Sequence, residues 1–384
     1  MTPTAPPPVV RVLIELNSSD LRIGAVNDAL DLAQLTAPLG AQLTLCGPLT
    51  DALCEEAARR GANVLRAHSR EFSRRGLPIY GLDVARWLVR LRRRRPDVVH
   101  LNYAGYGPAL GCAAHMAGIP VVARAGPFVA DNPANRWVGA YVANCRAHAD
   151  DLLASPLADR VVVTGDLFRP ERVRMTTTLE RPLPPKTAGA TRIVFLGQLV
   201  ERKGLHVLVE AFARLRGRAE LLLIGGDWRQ PGYPQRIRDL ARDLGVIDRI
   251  HFDGHRGDVG AVLKTADILV LPSLGEARPR VIIEAMSLGI PVVASHVGGI
   301  PSLVNHGAAG LLVPPADPVS LAAALDRLVE SSSLRGSLGA AARRHVEQEC
   351  RPDVTASEYV SLYRRLMRSG PQPVSRAIVA GARG

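Results

Sequence analysis

The chain has 384 residues, 47% of them hydrophobic and 22% charged, and its 48 Lys and Arg residues against 36 Asp and Glu give a net charge of +12. This length exceeds what one hydrophobic core usually supports and suits two domains of ordinary size. The hydrophobic fraction excludes a disordered scaffold. No apolar run approaches the roughly 18 residues that a membrane-spanning helix needs.

Charge and cysteine content narrow the class of protein further. The positive charge is spread over both halves of the chain, which argues against nucleic-acid binding and favours acidic small ligands. The five cysteines form no Cys-x-x-Cys pair, as expected for a reduced protein without structural zinc. The start, MTPTAPPPVV, does not resemble a secretory signal. The sequence therefore predicts a cytoplasmic protein.

Short apolar runs alternate with helix-length segments through the first half of the chain. The predicted buried strands are Val9–Leu16, residues 41–47, Asp97–His100, Ile119–Val122 and Arg160–Val163. Continuous apolar runs of this length are typical of parallel sheets. The segment from Met175 to Thr191 is rich in proline and has no apolar periodicity, so we expect the domain linker there.

The alternation resumes after this linker. The predicted strands are Ile193–Leu196, Leu221–Ile224, Ile250–Phe252, Ile268–Leu271 and Pro291–Val293. Two successive βαβ arrays predict an α/β protein with two doubly wound Rossmann-like domains, residues 1–180 and 190–353. Ligands of such domains bind beyond the carboxyl ends of the strands, so the loops there should carry the chemistry.

The most informative segment runs from Leu269 to Gly299 and reads LVLPSLGEARPRVIIEAMSLGIPVVASHVGG. Glu276 lies in a loop, and Glu284 follows eight residues later in a helix that we expect to begin near Arg280. Free N–H groups at such a helix start favour a phosphate, and each carboxylate could bind a vicinal diol. Two glutamates at this spacing are also common on solvated helices, so the spacing alone decides nothing.

The surrounding residues add a family resemblance. Pro272-Ser273, the two glutamates, Ala285-Met286, Gly289-x-Pro291 and Gly298-Gly299 together resemble the donor-binding signature of family 4 retaining glycosyltransferases. The segment GQLVERKG, residues 197–204, is similar to the loop whose lysine contacts the donor diphosphate in that family. The resemblance implies the GT-B fold, in which two Rossmann-like domains face a central cleft. It also implies that a C-terminal helix at about residues 354–369 crosses back to the first domain.

The resemblance further implies a retaining transfer of a sugar from a nucleotide-diphosphate sugar, most often UDP-linked, to an acceptor hydroxyl. Lys203 would stabilise the leaving diphosphate and Glu276 would bind donor hydroxyls, which makes them the predicted catalytic residues. The other predicted donor-binding residues are Glu284, Arg202, Gln198, Ala277, Arg278, Arg280 and Val281. The family usually has arginine where this chain has Gln198. No Asp-x-Asp motif is present, so we expect no metal and no other cofactor.

The first half matches the family more loosely. Gly24 resembles part of the glycine loop after the first strand, and Asn102 and Arg124 each follow a predicted strand, so these three are candidates for acceptor contacts. Gly126 stands where the family usually has a cleft histidine. His100 is interpreted either as structural or as a residue that supports those in contact with the ligand. The acceptor would be a sugar, a lipid-linked molecule or another small molecule.

The arginine run Arg90–Arg95 closes a predicted helix, where positive charge is electrostatically favoured. A patch for anionic lipid, and with it peripheral membrane contact, is the alternative.

Two alternative functions remain open. One is a nucleotide-sugar epimerase. The other is a catalytically degenerate protein that binds nucleotide sugars, an alternative suggested by Gln198 and Gly126, which replace the family's usual arginine and histidine. A dinucleotide oxidoreductase is disfavoured because neither first βα turn carries G-x-G-x-x-G.

Overall fold

The computed structural model describes residues 8–16, 18, 20–21, 24–67, 77–102, 108–125, 133–226 and 230–370. The chain divides into two compact units. The first comprises Met1–Phe168 with Arg351–Gly384, and the second comprises Arg169–Cys350.

The first unit contains a parallel sheet whose described strands have the order β3-β2-β1-β4-β5-β6-β7. The strands are β1 Val10–Glu15, β2 Ala41–Gly47, β3 Asn63–Arg66, β4 Val98–Leu101, β5 Val121–Arg124, β6 Ala140–Ala143 and β7 Val161–Val163. The helices are α1 Gly24–Thr36, α2 Asp51–Arg59, α3 Leu77–Arg94, α4 Pro108–Met116, α5 Arg146–Leu153 and, from the C-terminal segment, α14 Pro352–Ser369. The strand order reverses between β1 and β4, the point at which doubly wound sheets bind ligands.

The second unit repeats this topology with strands in the order β10-β9-β8-β11-β12-β13. The strands are β8 Thr191–Leu196, β9 Ala219–Ile224, β10 Ile250–Gly254, β11 Ile268–Leu271, β12 Val292–Ser295 and β13 Leu311–Val313. The helices are α6 Pro170–Met175, α7 Leu205–Ala213, α8 Tyr233–Asp243, α9 Val259–Leu263, α10 Arg280–Ser287, α11 Ile300–Val304, α12 Pro318–Glu330 and α13 Ser332–Glu349. Here the order reverses between β8 and β11.

Parallel pairing explains the apolar strands. Adjacent strands in each sheet pair in parallel, for example with Ile14 opposite Leu45 and Leu269 opposite Val292. All four residues of β11 are buried, because helices cover both faces of such a sheet. The prediction of two doubly wound α/β domains is confirmed. The sequence did not predict β3, β6 or β13, because β3 is largely exposed, β6 is a short strand with alanine at both ends and β13 has only three residues.

The division between the units differs from the predicted boundary at 180–190. It falls between Phe168 and Arg169, because α6 packs on α9 and α10 of the second unit. The proline-rich segment after α6 is also bonded to that unit. The backbone N–H of Glu180 donates to Asp258 Oδ2 at 2.7 Å, and Arg192 donates to the carbonyl of Pro184 at 2.6 Å. Composition suggested a spacer, whereas these charged side chains bind its backbone.

The helix α14 belongs to the first unit, where it contacts α1, β1 and β4. Its buried side chains join the core formed by β1, β2 and α1, and they are Tyr359, Val360, Leu362, Tyr363 and Leu366. Burial of a large apolar side chain stabilises a fold by roughly 1.5–3 kcal/mol. The first unit is therefore built from two distant segments of the chain.

Candidate functional site

The predicted donor residues lie at the carboxyl ends of β8 and β11 in the second unit. Residues 197–204 connect β8 to α7 and contain a 3₁₀ turn at Glu201–Lys203. Residues 272–279 connect β11 to α10. Because β8 and β11 pair side by side where the strand order reverses, the two loops emerge at the same edge of the sheet.

Lys203 and Glu276 form an ion pair between these loops. The Lys203 ammonium donates to Glu276 Oε1, and the two side chains are only 12% and 8% exposed. Ser273 donates its hydroxyl to the same carboxylate oxygen at 2.9 Å. The two predicted catalytic residues are thus in direct contact, which the sequence did not indicate.

Arg202 adds a second cation to this pair. Its guanidinium lies 3.6 Å from Glu276 Oε2 and also donates to the carbonyl of Gly275. The backbone carbonyl of Arg202 accepts from the N–H of Leu274 at 2.8 Å. The turn that carries both cations is therefore fixed to the loop that carries the carboxylate.

Two glycines permit this close approach. Gly204 has a φ of +68°, and a Cβ there would lie 2.0 Å from the carbonyl oxygen of Pro272. Gly298 has a φ of +53°, and a Cβ there would lie 1.8 Å from the carbonyl oxygen of Glu276. Both the left-handed backbone and the lack of space require glycine. The glycines of the motif therefore set the position of the backbone that carries Glu276.

The helix α10 begins at Arg280, as predicted, with Pro279 as its N-cap residue. Its first-turn N–H groups project from the N-terminus, where the helix dipole favours an anion. Before the helix, the carbonyl of Ala277 accepts from Gly299 N–H at 2.8 Å. Val281 is buried.

The other predicted donor residues lie on or beside these loops. Arg278 and Arg280 are half-buried on either side of Pro279, and Glu284 is half-buried in the second turn of α10. Gln198 is half-buried in the turn after β8, where its carbonyl accepts from Val200 N–H at 3.0 Å. Their predicted ligand contacts stay predictions.

A small pocket lined by both polar and apolar residues lies in the first unit at the carboxyl ends of β4 and β5. Its lining includes both Asn102 and Arg124, the predicted acceptor residues, together with Asp28, His100, Asp166 and Tyr359. The Asn102 amide donates to the carbonyl of Ala25 at 2.8 Å. Gly24 is the first residue of α1 rather than part of a loop, and it does not line this pocket. Gly126 lies outside the described residues.

Arg124 is held by a carboxylate that sequence reading did not single out. Its guanidinium lies 2.7 Å from Asp28 Oδ2 on α1. Burial alone would lower the pKa of Arg124, but the carboxylate of Asp28, with smaller contributions from Tyr359 and Asp166, outweighs it and raises that pKa. Arg124 is therefore a permanent cation that is already paired. Asp28 follows no motif, and only the fold shows that α1 brings it to the end of β5.

The arginine run ends α3, and Arg92 to Arg95 are exposed while Arg90 stacks over Trp87 at 5.2 Å. This fits the electrostatics of a helix C-terminus. Peripheral membrane contact stays a prediction.

Over the part of the chain that the structure describes, no helix is both long and apolar enough to cross a membrane. Within the same residues, no three His, Cys, Asp or Glu side chains lie together as a metal site would require. The expectation that no cofactor is needed stays a prediction.

Comparison with known proteins identifies the family. A family model described as glycosyl transferases group 1 matches residues 190–331, which contain the whole candidate donor site. The D-inositol 3-phosphate glycosyltransferase of Jonesia denitrificans is 32% identical over 307 residues, covering 70% of this chain and 72% of the relative.

Solved structures show the same fold. A glycosyltransferase from Rickettsia africae superposes with a TM-score of 0.79 at 18% identity, covering 94% of this chain and 99% of that one. Anabaena HepE, solved in complex with UDP and glucose, superposes with a TM-score of 0.76 at 20% identity, covering 93% and 100%. The predicted GT-B fold class is confirmed. The Jonesia relative and the matching family model together show that the chain belongs to the family 4 glycosyltransferases, which the model describes as group 1 glycosyl transferases.

Proposed function

We propose that the protein transfers a sugar from a nucleoside-diphosphate sugar, with UDP as the nucleotide, to an acceptor hydroxyl with retention of anomeric configuration. The observation that carries this is the cluster of Lys203, Arg202 and Glu276 before the N-terminus of α10. Two cations and one carboxylate leave a net charge of +1 beside a helix N-terminus, a combination that suits a diphosphate. The HepE complex with UDP and glucose supports the same class of donor.

The donor would bind along the two loops of the second unit. Lys203 and Arg202 would donate to the diphosphate, together with backbone N–H groups from Ala277 to Val281. Glu276 would accept from hydroxyls of the transferred sugar, and Glu284 from the ribose. Because Ser273 and both cations hold the Glu276 carboxylate, it would be pre-positioned for this role.

A retaining transfer breaks one bond and forms one bond at the anomeric carbon. The bond between the anomeric carbon and the phosphate oxygen breaks, and the acceptor oxygen bonds to the same face of that carbon. The acceptor proton passes to the departing phosphate. The Lys203 ammonium would stabilise the negative charge that develops on this leaving group.

We assign the acceptor to the first unit, with Asn102 and Arg124 as its candidate contacts. The name of the Jonesia relative, D-inositol 3-phosphate glycosyltransferase, supports a cyclitol or sugar as the acceptor class. Gly24 stays a weaker candidate, because it begins α1.

Calorimetric titration with UDP, GDP and ADP tests the donor site. We expect UDP to bind with a dissociation constant on the order of micromolar, and Glu284→Ala to weaken it about tenfold, or about 1.4 kcal/mol. Glu210→Ala is the matched control, since Glu210 is a half-buried glutamate within another helix of the same unit, α7. Failure of all three nucleotides to bind folded protein would overturn the proposal. Proton NMR of the product's anomeric coupling then decides between retention and inversion.

A further inference from the structure

The pocket in the first unit contains a histidine whose hydrogen bonding is incomplete. His100 is 2% exposed at the end of β4, and its Nδ1 lies 2.8 Å from the hydroxyl of Tyr363 on α14. Its Nε2 is buried and has no hydrogen-bond partner among the described residues. A buried polar atom left without a partner costs about 1–3 kcal/mol, so native structures rarely keep one unless something else binds it. A purely structural role for His100 leaves this atom unexplained.

The chemistry of His100 restricts what could bind there. Burial, together with the charge of Arg124, lowers the pKa of His100 to about 3. The ring is therefore neutral near pH 7, and Nε2 either donates or accepts, according to whether Nδ1 accepts from Tyr363 or donates to it. A hydroxyl satisfies Nε2 in both tautomers because it can donate and accept. An ionised phosphate oxygen satisfies only one of them.

The charge of the pocket also favours a hydroxyl over a phosphate. Its lining includes one cation, Arg124, against two carboxylates, Asp28 and Asp166. Since Arg124 already pairs with Asp28 at 2.7 Å, the lining has no surplus positive charge for an anion. The cavity volume is about 20 Å³, which is enough for one hydroxyl-sized group.

We propose that this pocket is a subsite for an uncharged hydroxyl of a polyol acceptor, such as a sugar or cyclitol ring, and that His100 Nε2 is its direct partner. The inference deepens the proposed function, because it rests on the first unit receiving the acceptor. It adds that a phosphate on the acceptor is excluded from this pocket. It also makes His100 a residue that determines acceptor specificity.

Histidine-selective labelling and NMR of the full chain test this directly. The imidazole signals of His100 are recorded while myo-inositol or glycerol is added to about 0.3 M, which saturates even a site with a dissociation constant near 10 mM. We expect a saturable shift with a polyol and none with inorganic phosphate. No shift with either polyol on folded protein would mean that the pocket holds water only and would overturn the proposal. Tighter binding of phosphate would overturn it as well.

Two substitutions distinguish the role of Nε2 from that of Nδ1. His100→Asn places an amide near Nδ1 and keeps the Tyr363 contact, whereas His100→Gln places one near Nε2. We expect His100→Asn to weaken polyol binding at least tenfold and His100→Gln to retain most of it, with binding followed by ligand-observed NMR. Equal binding by the two folded variants would contradict the assignment. Calorimetry with UDP reports separately on the second unit, so failure of the donor proposal and failure of this one are distinguishable.

Discussion

The donor site of the second unit and the pocket of the first unit both lie at the carboxyl ends of parallel strands, but they are built differently. In the second unit, glycines at 204 and 298 let backbones come into direct contact, and ion pairs from Lys203 and Arg202 to Glu276 join the loops. In the first unit, the side chains of Asp28, Arg124 and Tyr359 converge from three separate segments. The donor residues and their glycines lie in short stretches of sequence, which therefore form recognisable motifs. Side chains that converge from distant segments leave no pattern along the sequence. The donor site can therefore be predicted from the sequence, whereas the pocket of the first unit cannot.

The largest effect is expected at the ion pair of the donor site. Replacing Lys203 with Met removes a cation that would stabilise the leaving diphosphate, and we expect kcat to fall about 10²–10³-fold. Arg202 and Ser273 still contact Glu276, so the variant should remain folded. Steady-state transfer assays measure this. Lys264→Met is the control, because Lys264 bonds to the carbonyls of Arg174 and Thr176 elsewhere in the unit. Equal losses in both variants would refute the role of Lys203.

The backbone contact can be broken at Gly298. Alanine there combines a left-handed φ with a Cβ 1.8 Å from a backbone oxygen, so we expect the free energy of unfolding to fall by about 3 kcal/mol. UDP binding should weaken in parallel. Gly232→Ala separates the two causes, because its φ is +87° and an added Cβ meets nothing within 4 Å. It should cost about 1 kcal/mol in urea unfolding. If the two variants lower the free energy of unfolding by the same amount, the close backbone approach at Gly298 has no energetic role.

Each unit contains a hydrogen bond between a histidine and a tyrosine, and the two bonds differ in burial. Tyr363 bonds to His100 in the first unit, and Tyr233 bonds to His206 Nδ1 at 2.9 Å in the second. We expect Tyr363→Phe to cost about 2 kcal/mol, since a fully buried imidazole loses its partner. Tyr233→Phe should cost about 1 kcal/mol, because His206 is half-buried and water can replace the hydroxyl. Chemical denaturation of both variants measures the difference, and a reversed order would contradict this account.

A further effect concerns the pH dependence of stability. The pKa of His100 is about 3 in the folded protein, below its ordinary value of about 6.5, so the unfolded chain binds a proton that the folded chain does not. This contribution to stability is complete above about pH 6.5 and is lost as the pH falls from there towards 3. The expected slope is about 1.4 kcal/mol per pH unit. Comparing unfolding of wild type and His100→Asn from neutral to mildly acidic pH cancels the carboxylates common to both. A pH-independent difference would show that His100 does not remain neutral.

The sequence predicted both sheets, the start of α10 and the residues of the donor loops. Apolar strands and motif glycines are local properties, so reading along the chain recovers them. It did not reveal that Lys203 and Glu276 pair with each other, because that contact depends on how β8 and β11 lie side by side. Nor did it reveal the partner of Arg124 or the free nitrogen of His100, which depend on α1 and α14 packing on the sheet.

The boundary between the two units also could not be predicted from the sequence. Its prolines and small polar residues suggested a spacer, and the boundary was placed within it. Asp258, which binds the backbone of Glu180, lies 78 positions away in the sequence, whereas Arg192 directly follows the segment, and neither belongs to a recognisable motif. Only the contacts show that the segment belongs to the second unit.

The return of α14 to the first unit has a consequence for biosynthesis. The core around β1 and α1 includes Tyr359, Tyr363 and Leu366, which the ribosome adds after the whole second unit. At roughly 5–20 residues per second, these side chains follow the end of the first segment by some tens of seconds. The second unit can therefore finish folding while the first still lacks part of its core. Although its sequence begins the chain, the first unit is the last to be completed, and premature termination near the C-terminus would damage it most.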